Sequence, residues 1–96
     1  MAENIYERII SIDTIKQTQT RLTINEFREV EYLHLRKYYL DFDEDWKPSN
    51  EGISIPLTIE ASQELLSGLL EILSLAESKE LIEEHFLDII KTIYEY

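Results

Sequence analysis

The stretch Phe27–Ile55, FREVEYLHLRKYYLDFDEDWKPSNEGISI, decides how this chain folds. In its middle, YLHLRKYYL (residues 32–40), Leu33 and Leu35 alternate with Tyr32, His34, Arg36 and Tyr38. Successive side chains of a strand point to opposite faces, so this pattern predicts a strand with a core face and an aromatic, basic face. Residues 41–52, DFDEDWKPSNEG, read as a polar turn punctuated by Pro48 and Gly52. ISIPL (53–57) reads as a short strand, with Pro56 at an edge or a strand end because it cannot donate to a ladder.

Working outward, RLTINEF (21–27) alternates Leu22 and Ile24 against Thr23 and Asn25, and Arg28–Glu31 joins it to the central strand as a hairpin. KQTQT (16–20) is expected as a loop, and Tyr6–Ile15, with Ile9, Ile10, Ile12 and Ile15 among polar residues, as a first strand. On the other side Thr58 is placed to cap a helix, with Glu60 in its first turn and Leu65, Leu66, Leu69, Leu70 and Leu73 at helical spacing. Gly68 inside that helix costs about 1 kcal/mol relative to alanine, which points to close packing against another backbone, a dimer partner being one candidate. Ser74 with Glu77 has capping-box spacing and Ser78 is a second cap, so a break is expected there. Leu81, Ile82, Phe86, Ile89, Ile90 and Ile93 then form a second apolar stripe.

A chain of 96 residues makes one domain, and at this size about 60 to 65% of the unfolded surface is buried, so dimerisation would help. The absence of cysteine excludes disulfides and thiolate zinc sites and fits a reducing compartment. No apolar run approaches the roughly 20 residues needed to span a bilayer, and MAENIYERII has no signal-peptide pattern. A soluble, intracellular, cytoplasmic protein is expected, with no membrane partner. The net charge of -11 argues against nucleic acid, whose binding depends on Lys and Arg displacing counterions. Its distribution is uneven: residues 1–47 carry a balance of -3 and residues 48–96 one of -8. Arg28, Arg36, Lys37 and Lys47 are thus free to build a local positive surface.

The succession of Phe27-Arg28, the strand ending R-K-Y-Y, then W-K-P and G-I-S resembles the positive cofactor 4 family, single-stranded-DNA-binding transcriptional coactivators. The register runs without a gap from Phe27 to Ile55, with looser similarity from about residue 9 to 75. The resemblance implies an α+β fold: a curved four-stranded antiparallel sheet followed by an amphipathic helix packed across one face, in a homodimer. Residues 6–75 would form that core, and 76–96 an additional acidic terminal helix. It further implies a groove for single-stranded DNA, or RNA, formed by Phe27, Arg28, Arg36, Tyr39, Trp46 and Lys47, in a nucleoid-associated protein modulating transcription, replication or repair. Aromatic faces stack on unpaired bases for about 1 to 3 kcal/mol each, while basic groups track the backbone.

This chain departs from the family pattern at Glu29, Val30, Asn50 and Glu51, each of which removes positive charge or adds negative charge. Two readings of the site residues stay open. Phe27, Tyr38, Tyr39 and Trp46 also suit simple packing on the sheet or a dimer seam. Arg36 and Lys37 also suit solvent-facing positions or pairing with the acidic turn, a contribution of about 0 to 1 kcal/mol per pair. An acidic protein-interaction module that has kept the fold and abandoned nucleic acid is the rival function. Its exposed face would be Glu77, Glu80, Glu83, Glu84 and Asp88, recruiting a transcription or replication protein.

No cofactor, metal or catalytic apparatus is expected. D-F-D-E-D at 41–45 opens like a calcium loop, but Trp46 stands where that loop needs glycine and Gly52 where it needs glutamate. His34 and His85 have no acid or nucleophile at a motif spacing, and there is no phosphate-binding glycine loop.

Overall fold

The computed structural model describes residues 4–95. Four strands, β1 (Tyr6–Asp13), β2 (Thr18–Phe27), β3 (Val30–Leu40) and β4 (Trp46–Pro56), precede two helices, α1 (Ile59–Ser74) and α2 (Lys79–Tyr94). The strands form one antiparallel sheet in the order β1-β2-β3-β4, so each pairs with its neighbours in sequence. The chain divides into two compact units after Ala61.

β2, β3 and β4 are longer than alternation of large apolar residues alone suggests, while β1 ends at Asp13, two residues short of the expected Ile15, where Asp13 Oδ1 accepts from the backbone N–H groups of Ile15 and Lys16. β2 begins at Thr18, inside the expected loop, because Thr18, Gln19 and Thr20 pair with Tyr39, Tyr38 and Lys37. The expected four-residue connection Arg28–Glu31 is only Arg28-Glu29, both with positive φ (52° and 66°), since Phe27 pairs directly with Val30. Two consecutive left-handed residues are what a tight hairpin needs to match the twist of its strands. The expected turn 41–52 closes within Asp41–Asp45, where Asp41 Oδ1 accepts from the backbone N–H groups of Asp43 and Asp45, both at 2.9 Å. Trp46–Gly52 therefore belongs to β4, whose ladder resumes through Leu40–Trp46, Tyr39–Lys47 and Tyr38–Pro48.

Two irregularities bend the sheet. In β1, Ile10 is extra between the pairs Ile9–Arg21 and Ser11–Thr20. In β4, Ser49–Glu51 stand opposite the single residue Lys37, and Ser49 Oγ donates to Lys37 O at 2.7 Å. Such bulges increase local twist and curl the sheet. At Gly52 the strands approach so closely that a Cβ would lie 2.7 Å from Leu35 O and 2.9 Å from Arg36 Cα. Both are backbone atoms, so only glycine fits.

Burial falls on the opposite face from the one expected. The pairings put Gln19, Arg21, Thr23, Asn25, Tyr32, His34, Arg36 and Tyr38 on one face, and Leu22, Ile24, Leu33, Leu35, Ile53 and Ile55 on the other. The apolar face, expected as core, leaves Leu35 37% and Ile53 63% exposed, whereas Thr23 (3%), Gln19 (6%) and Tyr38 (8%) on the polar face are the buried residues. The polar face, the better shielded of the two, is called the inner face and the apolar face the outer.

In the helical part, Thr58 Oγ1 accepts from Ala61 N at 3.1 Å, as expected of a cap. Of the two candidates for the second helix, Ser78 caps it, accepting from Leu81 N at 3.3 Å. Ser74 Oγ instead donates to Glu71 O at 2.7 Å. Leu66, Leu69, Leu70 and Leu73 of α1 and the Leu81, Ile82, Phe86 and Ile89 stripe of α2 line a shared apolar cavity of about 570 Å³. Among the described residues no helix is long and apolar enough to cross a membrane.

Candidate nucleic-acid interface

The hydrogen-bonded network on the inner face starts from the direct pairing of Arg21 with Arg36 across β2 and β3. Like charges opposite each other destabilise a sheet unless each finds a partner. Arg21 Nη1 meets Glu7 Oε1 at 2.9 Å, its Nε donates to Gln19 Oε1 at 2.9 Å, and its guanidinium lies 4.2 Å from the centre of the Tyr38 ring. Arg36 Nη1 donates to Ser49 O at 3.1 Å, tying β3 to the β4 bulge. A little further along, His34 Nε2 donates to Asn25 Oδ1 at 2.8 Å, which leaves Nδ1 as a lone-pair acceptor. Among the described residues that buried nitrogen has no hydrogen-bond partner. Burial, and secondarily the nearby charge of Arg36, lower the pKa of His34 from the ordinary 6.5. The result is an inner face with two guanidiniums, a neutral imidazole and two tyrosines around one carboxylate.

The six residues expected to bind nucleic acid do not share one surface. Arg36, with Phe27 and Trp46, follows the parity of the inner face, while Tyr39 and Lys47, paired with each other, lie on the outer face. Arg28 sits in the hairpin turn with its guanidinium 5.1 Å from the centre of the Phe27 ring. Phe27 and Arg28 mark one end of β3, and Tyr39, Trp46 and Lys47 the other, about 33 Å apart at about 3.3 Å per residue. Phe27 and Tyr39 are well exposed, at 59% and 45%. Lys47 is held 3.9 Å from Asp41, and Lys37 3.1 Å from Glu51. Arg21 was absent from the expected set. The signal for it was the period-two run Gln19, Arg21, Thr23, Asn25, obscured when Gln19 is assigned to a loop.

No curated protein sequence matches the chain. A family model described as Transcriptional Coactivator p15 (PC4) matches residues 15–66, more than half of the chain. The chain belongs to this family. Two solved PC4 homologues share its fold. One, described as the bacteriophage T5 homolog of the eukaryotic transcription coactivator PC4 implicated in recombination-dependent DNA replication, is 28% identical. It aligns over 88% of this chain and 97% of its own with a TM-score of 0.68. The other, a PC4 homolog from Burkholderia pseudomallei, is 25% identical over 80% of this chain and 93% of its own, with a TM-score of 0.56. The first alignment takes in more of the chain than the family model's residues 15–66, so the likeness is not confined to the hairpin.

Proposed function

We propose that this PC4-family chain is a non-enzymatic single-stranded-nucleic-acid-binding protein that acts as a homodimer in transcription or in DNA replication and repair. The observation that carries the reading is the family match over residues 15–66, the segment that holds all six expected contact residues and the Arg21–Arg36 pair. Exposed aromatic rings at both ends of β3 supply stacking surfaces, and guanidiniums between them attract phosphate. Support for a dimer comes from Gly68, where a Cβ would meet nothing within 4 Å inside the chain, so the glycine has no intrachain packing reason. Apolar residues beside it in α1 are also open, Leu65 at 41% and Leu69 at 50%.

One observation favours the rival reading, an acidic protein-binding module. Arg21, Lys37 and Lys47 are each paired with a carboxylate, so nucleic acid must displace Glu7, Glu51 and Asp41 from them. Fluorescence anisotropy of a labelled single strand of about 20 nucleotides, with the same sequence as duplex for comparison, separates the two. Single-strand preference is expected, with a salt slope of about -0.7 per neutralised phosphate. Arg36→Ala and Lys47→Ala each flatten that slope and weaken binding alike for all sequences. Absence of binding at low salt would leave the protein-binding module as the function.

A further inference from the structure

The inner face of the sheet holds a cavity of about 320 Å³ lined by Glu7, Thr23, Asn25, His34, Arg36 and Tyr38, among others. Its size is at the small end for ligand clefts, and its wall concentrates groups that fix orientation: a carboxylate, a hydroxyl, an amide, an imidazole, a guanidinium and a phenol. Most are spoken for. Glu7 receives Arg21, Asn25 Oδ1 receives His34, and Arg36 holds Ser49. His34 Nδ1, buried and without a partner among the described residues, is the exception. A buried acceptor left unpaired costs about 1 to 3 kcal/mol, so it calls for a donor. Histidine's χ2 torsion is soft, and a turn of the ring that gives up the Nε2–Asn25 Oδ1 bond brings this shielded nitrogen to an occupant of the cavity.

We propose that this cavity is a subsite for one unpaired nucleobase whose exocyclic amino group donates to His34 Nδ1, with Arg36 donating to the adjacent ring acceptor. The proposal rests on the nucleic-acid reading above and adds base selectivity to it. Cytosine and adenine carry an amino donor next to a ring nitrogen acceptor and fit this wall. Uracil and thymine do not. Their one ring donor, N3–H, lies between two carbonyls, so bringing it to Nδ1 presses a carbonyl oxygen against Asn25 Oδ1 and the Glu7 carboxylate. The rest of a bound strand passes outside the cavity and is held without regard to sequence.

The test compares single strands of about 20 deoxycytidines and about 20 deoxyuridines, which differ at the edge in question, by anisotropy at pH 7.5 and fixed salt. The full-length chain is expected to bind the cytosine strand about three- to tenfold more tightly, the effect of one net hydrogen bond. His34→Leu should bring that ratio to about one. Equal affinity of the unmodified protein for the two strands overturns the subsite while leaving nucleic-acid binding intact. A cytosine preference that persists in His34→Leu also overturns it, since the selectivity then arises elsewhere. Should that variant fail to fold, by circular dichroism, the ratio for the unmodified protein and its loss in Asn25→Ala decide the matter. Binding of neither strand removes the nucleic-acid reading and the subsite together.

Discussion

The two faces of the sheet invert the usual relation between polarity and burial. On the inner face a buried threonine, glutamine and tyrosine sit among arginines, while on the outer face leucines and isoleucines are half-buried or open. Bulges in β1 and β4 account for the geometry, and hydrogen bonds make it tolerable, because a buried polar group is costly only when unpaired. The inner face is therefore held together by specific pairings, whereas Leu35 and Ile53 of the outer face stay 37% and 63% exposed. That difference predicts different sensitivities to mutation.

The largest effect is expected at Gly52, where backbone leaves no room for a side chain. Gly52→Val should cost about 3 kcal/mol in chemical denaturation, the upper range for overpacking. An unchanged midpoint would mean that the β3–β4 approach is not what shapes the inner face. Next comes Arg21→Ala, which removes the ring contact, takes the guanidinium donor from Gln19 and leaves Glu7 with only the longer bond from Asn4 Nδ2, at a cost of about 1 to 2 kcal/mol at every protein concentration. The matching change on the outer face, Ile53→Ser, should cost about 1 kcal/mol, and a dependence of that cost on protein concentration would place this face inside the proposed dimer. A concentration-independent loss below about 0.5 kcal/mol would make the outer face an ordinary solvent surface.

His34 supplies a pH test confined to the inner face. Its pKa in the folded chain lies below 6.5, so the unfolded chain binds the proton more readily. The contribution of neutral His34 is therefore complete above pH 6.5 and is lost as pH falls through the folded value. Thermal melts should show this acid loss in the parent and a shallower one in His34→Gln. The smallest effect is at the hairpin, where Glu29 holds φ 66°. Glu29→Gly relieves the left-handed strain against a greater loss of chain freedom, for a net gain of about 0.5 kcal/mol. A loss of stability instead would show that the Glu29 side chain holds the turn.

The order of elements was readable because each carries its own signature: isoleucines in β1, the Leu22/Ile24 and Leu33/Leu35 alternations, Thr58, and the leucine spacing of α1. Boundaries were not, where pairing outweighs composition. Trp46–Gly52 contains a proline, an asparagine and a glycine and reads as a turn, yet the ladder from β3 carries it into β4. The same limit applies to the interface. Phe27, Arg28, Arg36, Tyr39, Trp46 and Lys47 are visible as residue types, but which face each takes depends on register and bulges that alternation alone does not encode. Arg21 and the ring nitrogen of His34 that has no partner among the described residues emerge only when β2 and β3 are laid side by side.

The meander order of the sheet also leaves two strands, β1 and β4, with a side that is unpaired among the described residues. They are protected unequally against joining the wrong neighbour. β4 carries Pro48 and Pro56, neither of which can donate a backbone hydrogen bond, and its bulge interrupts a straight run. β1 offers Ile9, Ile10 and Ile12, all about half exposed, with only Glu7, Arg8, Asp13 and the Ile10 bulge to discourage a second chain. In concentrated solution or during refolding, misassembly of this protein should therefore begin along β1, and a lysine in place of Ile10 is the change that would quiet it.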